Sequence, residues 1–148
     1  MSGKVFVDTN IVVYAHDLDA GEKHKIANRL ILELWESRSA VISTQVLQEF
    51  YVTLTKKIPH PLEGPTVRRI ISSYLSWEVV INEPKIILQA GEIEESYRIS
   101  FWDALIVSAA FSGNAEAILT EDLNHGQHIE GILIKNPFIL SSEKQAMA

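Results

Sequence analysis

Hydrophobic and polar positions along the chain follow two rhythms. Short β-rich runs occur at Lys4–Val7, Ala40–Ser43 ("AVIS"), 77–80 ("WEVV"), 117–120 ("AILT") and 132–135 ("ILIK"). Each predicts a strand, and the first, Lys4–Val7, one buried on both faces. Glu22–Ser37 instead carries apolar residues at 26, 27, 30, 31, 34 and 35, and Thr44–Lys57 at 46, 47, 50, 51 and 54. Steps of three and four predict amphipathic helices. A helix capped by Thr9 or Asn10 should run to about Asp17. Another is expected over Val67–Leu75, and one from Pro84, at its first position, to about Tyr97. Phe101–Phe111 is apolar almost all round apart from Asp103 and Ser108, which predicts a central, buried helix. "IPHPLEGP", Ile58–Pro65, is the clearest loop, with three prolines and a glycine.

Strands alternating with helices predict an α/β fold with a parallel sheet covered on both faces. The 148 residues suit one domain, and a hydrophobic fraction of 47% supplies its core. We expect that domain over residues 1–140, with 141–148 a disordered tail. The chain has no cysteine, which excludes disulfides, thiolate metal sites and cysteine nucleophiles. No apolar run approaches the roughly 18 residues of a membrane span, and the opening lacks a signal-peptide pattern. A soluble cytoplasmic protein without a membrane partner is the expectation.

In parallel sheets ligands bind beyond the carboxyl ends of the strands. Asp8 directly follows the first predicted strand. Glu49 lies on the helix after the second, and Asp122 comes two residues after Thr120 ends another. Asp103 stands in the first turn of the buried helix. Each has a plain structural reading. Asp8 is a natural helix cap. Glu49 has the polar neighbours Gln45, Gln48, Thr53 and Lys56. Ser100 and Asp103 match a capping box, and Asp122 in "LTEDLNHG" suits a turn. Their shared rim changes the weighing. Two carboxylates about 5 Å apart at an effective dielectric near 20 repel by roughly 3 kcal/mol. A cluster of four calls for a cation, and oxygen-only ligands suit Mg²⁺ or Mn²⁺. Such ions serve phosphoryl-transfer chemistry.

The remaining candidates are weaker. His125 and His128 form an H-x-x-H pair without a third zinc ligand. His16, His24 and His60 read as surface or capping residues. Trp35, Trp77 and Trp102 read as core or interface, and no interleaving of aromatic and basic residues marks a base-stacking platform. Lys56, Lys57, Arg68 and Arg69 flank the proline loop as a solvated surface or a local basic rim. A net charge of -6 argues against a grip on nucleic acid by bulk charge, though not against a nucleic-acid enzyme whose positive charge is bound metal.

Four stretches together resemble PIN-domain ribonucleases: "VFVDTNIVVYA", "ISTQVLQEFYVTLTKK", "SFWDALIVSAA" and "AILTEDLNHGQ". Their order and spacing match over about residues 4–140, and length and architecture resemble the VapC-type toxins of toxin–antitoxin pairs. The resemblance implies a three-layer α/β/α fold with a central parallel sheet. It implies a Mg²⁺- or Mn²⁺-dependent endonuclease acting on RNA, with Asp8, Glu49 and Asp103 as core metal-binding carboxylates and Asp122 completing the site. Asn10 and Thr120 would orient ligands or water through hydrogen bonds. A homodimer and a cognate antitoxin that occupies the active-site groove are further implications. Where many members carry another acid, this chain has Asn124. Two alternatives keep the residues but change the function. One is an inactive PIN-fold module whose acidic cluster binds a basic partner segment. The other is a phosphatase with Asp8 as nucleophile, whose usual signature needs a second Asp where this chain has Asn10.

Overall fold

The computed structural model describes residues 3–139, so the expected tail lies outside the described residues. Six strands form one sheet: β1 (Lys4–Val7), β2 (Ala40–Ser43), β3 (Glu78–Val80), β4 (Ala115–Leu119), β5 (His128–Ile129) and β6 (Ile132–Lys135). Their order is β3-β2-β1-β4-β6-β5. Every neighbouring pair is parallel except β5 and β6. The apolar runs explain the centre of the sheet. Phe6, Val7, Val41, Ile42 and Ile118 are buried on strands covered from both sides.

Among the described residues the helices α1 (Thr9–His16), α2 (Glu22–Ser37), α3 (Thr44–Val52), α4 (Gly64–Tyr74), α5 (Pro84–Tyr97) and α6 (Phe101–Ser112) flank the sheet. Helix α1 packs on α2 and α3. Helix α6 packs on α5 and lies against β2, β3 and β4. The layers are the expected α/β/α arrangement. Helix α6 is buried from Ala104 to Ala110 as its composition predicts, but its ends, Trp102 and Phe111, are exposed.

Several local expectations are corrected. The cap of α1 is Asp8, not Thr9 or Asn10: its side chain accepts from the Thr9 N–H, and its backbone is extended. The helix expected over Thr44–Lys57 changes after Val52 into a π-turn, Thr53–Lys57. There Thr55 donates its hydroxyl to the Tyr51 carbonyl, and Ile58 N–H reaches back to Thr53 O. Pro59 disfavours helical backbone at Ile58, so the chain stops there. Helix α4 starts at Gly64 with Pro65 in its first turn, three residues before the apolar pattern begins. Strand β5 has no counterpart among the predicted elements. Glu130 and Gly131, both at positive φ (51° and 79°), turn it back onto β6 as a two-residue hairpin. His128 therefore lies on a strand.

Candidate active site

The carboxyl ends of β1, β2 and β4 lead into the segments that bear the predicted acids. Strand β1 delivers Asp8, 5% exposed, to the cap of α1. Strand β2 ends at Ser43, which caps α3 by accepting from Val46 N–H, and the second turn of α3 presents Glu49. Strand β4 is followed by Thr120 and Asp122. Ser100 caps α6 through a 3.1 Å bond from Asp103 N–H, so the expected cap and the site residue coexist.

A hydrogen-bond network ties most of these residues together. Asp8 Oδ1 accepts from Thr9 N–H at 2.7 Å, and Oδ2 accepts from the Thr120 hydroxyl at 2.8 Å. The Asn10 amide donates to Asp122 Oδ2 at 2.9 Å, while Asn10 Oδ1 accepts from Glu121 N–H at 3.3 Å. Thr120 Oγ1 accepts in turn from Asp122 N–H at 3.0 Å. Asn10 and Thr120, expected to orient ligands, thus join Asp8 to Asp122. Glu49 is exposed, yet its Oε1 accepts from the Thr9 hydroxyl at 2.7 Å. Asp103 shares no hydrogen bond with the other three acids and meets Asp122 and Glu49 through charge.

Electrostatics agree with this grouping. Burial pushes the Asp8 carboxyl from its ordinary 3.8 up to about 7; bonds from Thr120 and Thr9 pull it down, and the Asp122 and Glu49 charges raise it again. Asp103 is raised too, first by burial and then, against its bond with Ser100, by the same Asp122 and Glu49. Among the described residues no three acidic or histidine side chains form a ready-made ion cluster. Thr9 and Asn10 occupy the space between the carboxylates instead. The fit to a cation lies in the donor chemistry: Asp8, Glu49, Asp103 and Asp122 are oxygen donors whose charges penalise one another, and a divalent ion relieves that penalty. The phosphatase alternative loses ground here, because the Asn10 amide is engaged by Asp122.

Sequence reasoning missed four participants, Thr9, Glu121, Tyr14 and Lys23. Thr9 links Asp8 to Glu49. Glu121 accepts from the Tyr14 hydroxyl and from Lys23 Nζ at 2.8 Å, forming a polar wall beside Asp122. Asn10 and Tyr14 are one helical turn apart, so their shared face was legible; the contact to Lys23 was not. Of the four flanking basic residues, Lys57 enters the neighbourhood. It lines a cleft of about 430 Å³ together with Thr9, Asn10, Tyr14 and Asp122. The histidines stand apart from the acids. His16 Nε2 bonds Tyr74 OH, His60 pairs with Asp19, and His125 Nδ1 accepts from Asn136 N–H.

The sequence matches the PIN domain family over residues 5–128. No curated protein matches it. Solved structures with a similar fold include a toxin–antitoxin complex from Klebsiella pneumoniae, 21% identical over 90% of this chain and 98% of that one, with a TM-score of 0.66. A second is VapC20 of Mycobacterium tuberculosis, described as a toxin that cleaves the sarcin–ricin loop. It is 20% identical over 80% of this chain and 90% of that one, with a TM-score of 0.62. A third is VapBC2 of Rickettsia felis bound to a promoter DNA fragment. It is 24% identical over 89% and 97% of the two chains, with a TM-score of 0.62. At these identities the likeness is one of fold.

Proposed function

The chain belongs to the PIN-domain family, and from that premise we propose that it is a Mg²⁺- or Mn²⁺-dependent endoribonuclease, the toxin of a toxin–antitoxin pair. The observation that supports the reading is the network that links Asp8 to Asp122 through Asn10 and Thr120 and ties Glu49 to Thr9, with Asp8 and Asp103 raised chiefly by burial and further by the charges of Asp122 and Glu49. Asp8 and Asp103 would hold the ion, and Glu49 and Asp122 would complete its surroundings. A bound divalent ion supplies Lewis acidity and an activated water. The chain's own residues do the rest. Asn10 and Thr120 hold Asp8 and Asp122 in fixed relation. Glu49, anchored by Thr9, would accept a proton from the attacking water.

Similarity of fold to toxin–antitoxin complexes supports a protein antitoxin as partner. A homodimer and a cytoplasmic location complete the reading. Among the described residues no helix is long and apolar enough to cross a membrane.

The test is cleavage of an unstructured oligoribonucleotide with Mn²⁺ or Mg²⁺ present. Asp8→Asn and Glu49→Gln should each lower the rate by about 100-fold or more, in the range of lost electrostatic or acid–base groups, and a chelator should stop turnover. Undiminished cleavage by Asp8→Asn sinks the mechanism. Metal-independent binding of a basic peptide without turnover would favour the inactive-module alternative.

A further inference from the structure

The three tryptophans read alike in the sequence, and the structure separates them. Trp35 and Trp77 pack on the buried Tyr74 ring, with centroids 5.6 and 4.8 Å from it. Trp102 is 64% exposed. It directly precedes Asp103 in the first turn of α6. Its carbonyl accepts from Gln45 Nε2 at 3.4 Å, and Gln45 stands in the first turn of α3, the helix that carries Glu49. Its backbone is therefore tied to both helices that supply acids. Among the described residues its one aromatic ring contact is Phe101, at 5.6 Å and nearly edge-on, so no other ring stacks on the exposed indole.

Exposure alone is ordinary for a surface side chain. Its place is what matters: it adjoins Asp103 in the first turn of α6, and its carbonyl bonds Gln45, one helical turn before Glu49 on α3. A polyanion gains little affinity from an acidic rim on a chain of net charge -6. The π-face of a nucleobase is uncharged, and it stacks on an aromatic ring whatever its sequence. A paired base inside a duplex has both faces already covered by its neighbours, so an open indole favours unpaired nucleotides. We propose that Trp102 is a base-stacking platform of the active site, holding one unpaired nucleobase beside the phosphodiester to be cleaved. This rests on the endoribonuclease reading above.

The experiment compares wild type, Trp102→Ala and Trp102→Phe on an unstructured oligoribonucleotide with Mn²⁺. The Ala variant should raise KM about 10-fold and leave kcat within about two-fold, as expected for losing one stacked base bound equally in ground and transition states. The Phe variant should recover KM to within about three-fold, since a smaller ring still stacks. Thermal midpoints of all three should agree within about 2 °C, because the ring is exposed. An unchanged KM in the Ala variant, with wild type active, overturns the proposal, assigns the ring to a protein contact and leaves the nuclease reading standing. No cleavage by wild type sinks the nuclease reading, and a tryptophan-fluorescence titration with the same oligonucleotide then decides stacking alone. Quenching in wild type that is lost in Trp102→Phe supports the platform, and equal quenching in both overturns it.

Discussion

Asp8→Asn should make the metal-free protein more stable, by an amount that grows with pH. Asp8 is almost fully buried, and its carboxyl is raised from 3.8 to about 7, chiefly by that burial. The unfolded chain ionises Asp8 above about 3.8, whereas the fold keeps the proton until about 7. Between those values the folded state binds more protons, so stability falls as pH rises. The favourable contribution is whole below 3.8 and gone above 7. At about 1.36 kcal/mol per pH unit, the rise to about 7 amounts to about 4 kcal/mol at pH 8 and to under half of that at pH 5. Asparagine carries no charge to desolvate. Its oxygen can still accept from Thr9 N–H, and its amide can donate to Thr120 Oγ1 in place of the bond that now runs the other way.

Urea unfolding of both proteins with a chelator present, at pH 5 and pH 8, measures the effect. All other groups titrate in both proteins, so the difference isolates Asp8. The advantage of the Asn variant should grow by about 2–3 kcal/mol between the two pH values. A difference that stays flat, or a wild type more stable at pH 8, would refute burial as the cause of the raised carboxyl. The reasoning about the whole cluster would fall with it.

Three further outcomes follow from the same structure. Mn²⁺ at about 100 times its dissociation constant should stabilise wild type by about 3 kcal/mol and the Asp8→Asn variant by much less; equal shifts in calorimetry would detach Asp8 from the ion. Ser100→Ala removes the acceptor for Asp103 N–H and should cost about 1 kcal/mol of stability, read from the urea midpoint. Burial lowers the pKa of His16, which bonds Tyr74 OH. Its contribution is therefore present above about 6.5 and lost as pH falls below it. Measured as a difference, wild type should therefore gain stability over His16→Gln as pH rises from 5 to 7, against the opposite slope that Asp8 gives both proteins, and a difference that does not change with pH would clear His16 of any part in the acid response.

The parts of the fold legible in the sequence were those that burial dictates. β1, β2 and β6 follow their apolar runs because both faces are covered, and Pro84 opens α5 because a proline lacks only an N–H that the first turn leaves free. β5 was illegible because two residues carry no period, and its hairpin depends on positive φ at Glu130, which no local signal announces. The exposure of Trp102 was hidden for the opposite reason. A helix apolar all round does not say which residue extends past the sheet. In the candidate site, the sequence showed where Asp8 and Asp122 follow strands, where Asp103 opens α6 and that Glu49 lies on α3, but not how they are linked. The part of Thr9 was not legible, because its partner Glu49 lies 40 residues away.

Asp8 also shows why a cap and an active-site role need separating. The structure makes it the cap of α1, the plain reading. Asparagine caps a helix about as well as aspartate, so capping alone does not call for a charge. Nor does packing, since burial raises the carboxyl and costs stability near neutral pH. Asp122 and Glu49 add to that cost. A position where a neutral isostere would cap equally and fold better is explained by what the charge does for a ligand. On the function proposed above, that ligand is a divalent cation. The stability difference between wild type and the Asp8→Asn variant, measured without metal and then with it, therefore separates the two roles: the cap survives the substitution, and the response to metal does not.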